Sequence, residues 1–138
     1  PRSLIKTMVA CVQPKPMKTI ADPACGTGGF FLAAYDWLVE NHQLDKEEKE
    51  FLKNKTFYGN EIVANTRRLC LMNMYLHNIG DITGESFISS SDALIADSGN
   101  RFDYVWANPP FGKKSSSGSN LSRHSRRHDR YQRHSQPG

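Results

Sequence analysis

A chain of 138 residues, 38% apolar and 23% charged, has the makeup of one globular domain or part of one. No apolar run approaches the ~18 residues of a membrane span, and no N-terminal stretch reads as a secretory signal; the three cysteines form no CxxC pair, which argues against a disulfide framework or a zinc site and fits a reducing cytoplasm. The net charge of +4 belongs to one end: residues 113–138 hold seven Lys/Arg against one Asp, and residues 1–112 hold eleven against thirteen Asp/Glu, so charge alone makes no case for nucleic-acid binding by the body.

In chain order, Leu4, Ile5, Met8, Val9 and Val12 fall at helical spacing, and the prolines of PKP end that helix. Residues 18–22 (KTIAD) predict a short strand, 23–29 (PACGTGG) a glycine-rich turn, and 30–42 (FFLAAYDWLVENH) a helix with an apolar face. The charged run 44–54 is a second short helix or a solvated linker. Residues 56–61 (TFYGNE) predict a second strand and 65–79 a helix, with Asn65 as its N-cap. A third, weak strand falls within 81–94 and a fourth over 102–108 (FDYVWAN). Strands alternating with helices imply βαβ units in a doubly wound α/β fold, with a mostly parallel sheet and all strand C-termini on one edge. After Lys114 only Leu121 and Tyr131 are apolar. That is too little to offset ordering entropy, so 113–138 reads as a disordered, low-complexity basic tail. It is either simply solvated or a salt-sensitive, non-specific holder of phosphates.

The chemistry-bearing residues fall at the expected strand ends. Asp22 closes the first strand, and Gly26, Gly28 and Gly29 let the backbone turn tightly and a ligand approach the next helix N-terminus. This suits a nucleotide in a doubly wound sheet, but no GK[ST] follows, so it is not a Walker A loop; a plain strand–helix turn fits a glycine turn equally. Glu61 ends the second strand, where dinucleotide sites hold a ribose diol, though it lies further from the glycines than the usual ~20 residues. Alone, it reads as a solvated strand end. Asp92 would end the third strand, near an adenine amino group, or act as an Asx turn or N-cap.

The fourth strand runs into Asn-Pro-Pro-Phe, and neither proline has an N–H to continue a ladder. The blander reading is a strand stop and turn. The sharper one is that the Asn108 side-chain oxygen and the Pro109 carbonyl accept both hydrogens of a base's exocyclic amine. That favours a tetrahedral nitrogen with a free lone pair over its planar ground state. Pro109 and Pro110 fix the two acceptors, and Phe111 offers a stacking face.

DPACGTGGF (22–30) and NPPFG (108–112) resemble the cofactor and catalytic motifs of N6-adenine DNA methyltransferases, most closely the modification subunit of type I restriction–modification systems. PRSLIKTMV, FYGNE and RLCLMNMYLHNI resemble that family's segments in the same order, so the resemblance covers about residues 1–114. It implies S-adenosyl-L-methionine as cofactor. Thr27, Gly28 and Gly29 match the loop around its amino-acid end, Asp22 and Gly26 the rest of that motif, Glu61 the ribose acid and Asp92 a residue near its adenine. Pro1 and Arg2 match the end of a T-P-R segment, and Asn108, Pro109, Pro110 and Phe111 match the catalytic tetrapeptide. The target adenine is then flipped out of the duplex, and separate specificity and restriction subunits are partners; no membrane or metal is implied.

The family sheet has seven strands and this stretch supplies about four, so 1–112 is expected to be the N-terminal part of a catalytic domain. The fourth strand, flanked in the family by the first and fifth, is expected to leave an open apolar edge. The tail suggests a fragment, or a frameshifted or prematurely ended frame. NPP-aromatic also occurs in methyltransferases acting on protein glutamine and on RNA, and these stand as alternatives beside a degenerate product without activity.

Overall fold

The computed structural model describes residues 2–91 and 99–108. Helix α1 (Arg2–Val12) leads into β1 (Ile20–Asp22), α2 (Gly29–Asn41), α3 (Lys46–Asn54), β2 (Phe57–Asn60), α4 (Ala64–Leu76), β3 (Ile88–Ser89) and β4 (Tyr104–Val105). The strands form one sheet in the order β3-β2-β1-β4, and every pairing is parallel. The fold class read from the alternation is therefore the one observed. β1 separates β2 on one side from β4 on the other, so the direction of winding reverses at its C-terminal end, where ligands sit in open α/β sheets. Asp92, Pro109, Pro110, Phe111 and the tail 113–138 lie outside the described residues.

Alternation along the strands sends Ile20, Phe57, Ile88 and Trp106 into one core, with Val9, Phe31, Leu38, Leu52 and Met74 from the helices. Phe31, wholly buried, packs its ring 5.3 Å from that of Phe57. The other face carries Ala21, Tyr58 and Val105. With Phe102 they line an open cleft of about 620 Å³, in which the Tyr58 and Phe102 rings lie 5.1 Å apart. Among the described residues β4 is bonded to β1 alone, and Val105 is 61% exposed, as the sequence led one to expect of that edge. Before β4, Asp103 accepts from the Thr19 N–H (2.8 Å) and hydroxyl (3.0 Å), which fixes its register on β1.

Three local details differ from the sequence reading. The strands are shorter than the apolar runs, because a ladder extends only where a neighbour runs beside it; β3 pairs β2 only across Gly59 and Asn60. Of the two readings of the charged run, the helix is the one observed, and what the sequence reading lacked is the capping box that starts it. Asp45 accepts from the Glu48 N–H (2.8 Å), and the Glu48 side chain accepts from the Asp45 N–H (2.9 Å). Asn65 does not cap α4. The cap position is Val63, whose N–H donates to the Glu61 carboxylate at 2.8 Å, so the helix starts a residue earlier and Asn65 falls inside it. In α1, Ile5 and Val9 pack inward, while Leu4, Met8 and Val12 stay exposed.

Gly59 marks the tightest packing in the sheet. A Cβ there would lie 2.6 Å from Ile88 Cδ1, 2.9 Å from Cys25 Sγ and 3.0 Å from a Phe31 ring carbon. Gly59→Ala is therefore expected to destabilise the chain by about 1–3 kcal/mol, read as a lower urea midpoint at unchanged slope.

Candidate functional site at the strand C-termini

The turn between β1 and α2 is held from three sides. Its Cys25 N–H donates to the Asn60 carbonyl at the end of β2 (3.0 Å), the Asn60 side-chain amide donates to the Pro23 carbonyl (3.3 Å), and the Asn73 amide of α4 donates to the Thr27 carbonyl (3.0 Å). Gly26 and Gly28 both have positive φ, 56° and 86°. Their surroundings differ. A Cβ on Gly28 would lie 3.0 Å from Cys70 Sγ, whereas one on Gly26 would meet nothing within 4 Å. Gly28 is needed for close packing on α4; Gly26 leaves the outer side of the turn open. Thr27 is exposed beside it. A Cβ on Gly29 would lie 3.3 Å from Ile5 Cδ1, which brings the first turn of α1, with exposed Arg2 at its start, to the same edge.

Two carboxylates end adjacent strands. Asp22, 3% exposed, accepts from the Ala24 N–H at 2.9 Å. Burial pushes its carboxyl up from the usual 3.8 to about 6; the Ala24 N–H opposes the shift and the nearby Glu61 carboxylate adds to it. Glu61 is half-buried one residue beyond β2, and its N–H donates to the Ser89 carbonyl (3.0 Å). On the other side of β1, the Trp106 N–H donates to the Ala21 carbonyl (2.8 Å), so the chain leaves β4 beside Asp22 and reaches exposed Asn108 two residues later. Asp22, the glycine turn, Glu61 and Asn108 therefore all stand at the C-terminal ends of neighbouring parallel strands. Among the described residues no cluster of three or more His, Cys, Asp or Glu side chains could hold a metal ion, and no helix is long and apolar enough to cross a membrane.

A larger cleft, about 910 Å³, lies between α2 and α3 and is lined by Tyr35, His42, Lys49 and Lys53 among others. It has no strand end or glycine turn in its wall, and α3 leads into the N-terminal end of β2. It belongs to the opposite edge of the sheet.

A profile of the family described as N-6 DNA Methylase matches residues 1–137. The chain belongs to that family. The type I restriction enzyme StySPI methylase subunit of Salmonella potsdam is 40% identical over 131 residues, which cover 89% of this chain and 24% of that protein. The EcoKI methylase subunit of Escherichia coli K12 is 38% identical with the same coverage. The crystal structure of the EcoKI M protein superposes with a TM-score of 0.74 at 37% identity, over 88% of this chain and 26% of that one. The chain thus spans about a quarter of the length of the curated relatives it matches.

Sequence reading missed the polar bracing of this N-6 DNA methylase segment. Asn60 is buried; besides holding Pro23 it accepts from the Ser89 hydroxyl at 2.6 Å, tying the ends of β1, β2 and β3 together. Asn73 lay unremarked in a helix. The signal available was an asparagine beside the glutamate in GNE, at a strand end where a solvated residue would serve as well.

Asp22 gives a test independent of any ligand. Its carboxyl is easier to bury protonated, so its contribution is most favourable below about 4 and is lost as pH rises through about 4 to 6. Asp22→Asn keeps the acceptor for Ala24 and removes the charge. It is expected to raise stability at pH 8 by on the order of 1–3 kcal/mol and to change it little at pH 3.5, as read by urea unfolding at both pH values.

Proposed function

We propose that residues 1–112 are the N-terminal part of the catalytic domain of a type I modification subunit, which methylates adenine N6 in DNA with S-adenosyl-L-methionine. The observation that carries this reading is the convergence of Asp22, the glycine turn, Glu61 and Asn108 on one sheet edge. The fit to the cofactor is chemical as well as spatial. It is a cation bearing a ribose; the edge offers two carboxylates, and the turn is open at Gly26.

In this reading Glu61 accepts from the ribose hydroxyls, and the turn at Gly26, Thr27, Gly28 and Gly29 holds the amino-acid end beside Asp22. Arg2 closes the same end from α1, and Asp92 lies near the cofactor's adenine. When bound, the cofactor supplies a methyl group on a positively charged sulfur. The Asn108 side-chain oxygen and the Pro109 carbonyl accept both hydrogens of the target amine, localise its lone pair and leave N6 nucleophilic. Pro109 and Pro110 limit the freedom of those acceptors, and Phe111 stacks on the flipped base. No thiol nucleophile or metal enters. DNA, a specificity subunit and a restriction subunit are the proposed partners, and the cytoplasm, where genomic DNA lies, the proposed compartment.

Calorimetric titration of S-adenosylmethionine tests the cofactor half. Saturable heat is expected; Glu61→Ala should weaken binding at least tenfold, and Asn108→Ala should largely keep it. No heat from a cooperatively melting chain contradicts the proposal. Methyl-label transfer by the chain completed to its relatives' length, offered DNA, RNA and protein in turn, tests the substrate. Label in DNA adenine is expected, and label in RNA or protein glutamine would replace that assignment.

A further inference from the structure

Cys25 lies in the glycine turn and Cys70 on α4, and the fold brings their sulfurs to 3.9 Å with an S–H···S contact. Both are free thiols, 6% and 0% exposed, while the third cysteine, Cys11, is exposed and stands apart on α1. Methyl transfer uses no thiol, so this pair of thiols lies outside the proposed chemistry. A disulfide is about 2.05 Å long, so closing it requires side-chain rotation and a shift of one partner. The room for that shift is on the turn's outer side at Gly26, where a Cβ would meet nothing within 4 Å, so the three hydrogen bonds that brace the turn are what the closure strains.

We propose that Cys25 and Cys70 form a reversible redox pair that locks the glycine turn onto α4. The oxidant is hydrogen peroxide, since burial admits a small molecule more readily than a tripeptide disulfide. The Cys70 thiolate attacks one peroxide oxygen, the O–O bond breaks and hydroxide leaves, giving a sulfenic acid. The Cys25 sulfur then attacks that sulfur, the S–O bond breaks, and the oxygen leaves as water. Two thiols and one peroxide thus become one disulfide and two waters, and a dithiol reductant restores the thiols. Either thiol can donate in this contact; with the Cys25 S–H donating, the Cys70 thiolate is the stabilised one and Cys25 stays protonated, which makes Cys70 the attacking sulfur. Burial, Asp22 and Glu61 all oppose ionisation, so the pair answers sustained peroxide and not traces. Cys25 lies between Asp22 and Gly26, and the lock draws the turn away from its binding shape. That consequence rests on the cofactor reading above; the disulfide does not.

Trypsin cuts at Lys18, Lys46 and Arg68, so the three cysteines fall in three different peptides. After peroxide treatment of the folded chain, mass spectrometry should find the Cys25 and Cys70 peptides linked, and dithiothreitol should separate them. Hydrogen exchange across residues 24–29 should slow on oxidation. Affinity for S-adenosylmethionine should fall at least tenfold when the native chain is oxidised, and peroxide should not change it in Cys70→Ala. The proposal is overturned if Cys11 oxidises while Cys25 and Cys70 remain alkylatable as thiols, or if the link forms without slowing exchange in the turn. If the reduced chain binds no S-adenosylmethionine, the cofactor reading fails, and the linked peptide and the exchange decide the pair on their own.

Discussion

At residue 28 a side chain would have to share space with Cys70 Sγ, 3.0 Å away, and Met74 Sδ, 3.6 Å away, on a backbone with φ of 86°. Only glycine meets both conditions without strain. Because it does, the turn after β1 lies directly on α4, the Asn73 amide reaches the Thr27 carbonyl, and the Cys25 N–H reaches Asn60 across the sheet. The direction of α2 follows, since Gly28 precedes its first residue and its carbonyl accepts from the Leu32 N–H at 3.0 Å. Phe31 is thereby aimed at Phe57 and into the middle of the core.

The same packing sets the character of the sheet edge above it. Apolar residues fill the layer under the turn, so Asp22 is withdrawn from water and its carboxylate is held at a cost in stability. A residue chosen for folding alone would be neutral there. The core under β1 and β2 offsets that cost, and strain or unfavourable burial of this kind collects where a site needs a charge fixed in advance. The cleft on the opposite face has a different character. The Tyr58 and Phe102 rings meet there at a tilt of 42°, and Val105 beside them is largely exposed.

How far the sequence discloses this differs by element. α2 was legible because its apolar residues repeat at helical spacing and a glycine turn precedes it; the parallel sheet was legible because strands and helices alternate. The capping box of α3 was equally present, as Asp45 and Glu48 three residues apart, but the charge of the segment concealed it. Asn65 misled because N-capping residues are common inside helices too, and here the Glu61 carboxylate had already satisfied the first free N–H. The partners of Asn60 and Asn73, the burial of Asp22 and the meeting of Cys25 with Cys70 across 45 residues of sequence are tertiary facts with no local pattern. Position at a strand end located Asp22, Glu61 and Asn108 correctly on one edge; what braces that edge emerged only from the fold.

The central claim is that the C-terminal edge of the sheet, and not the larger cleft between α2 and α3, is the ligand site. The most direct test is a titration of the ¹⁵N-labelled chain with S-adenosylhomocysteine, followed amide by amide in NMR spectra. The account predicts shifts concentrated in residues 24–29 and 59–62, with α3 unaffected. Shifts centred on Tyr35, Lys49 and Lys53, or none at saturating ligand in a folded chain, would contradict it.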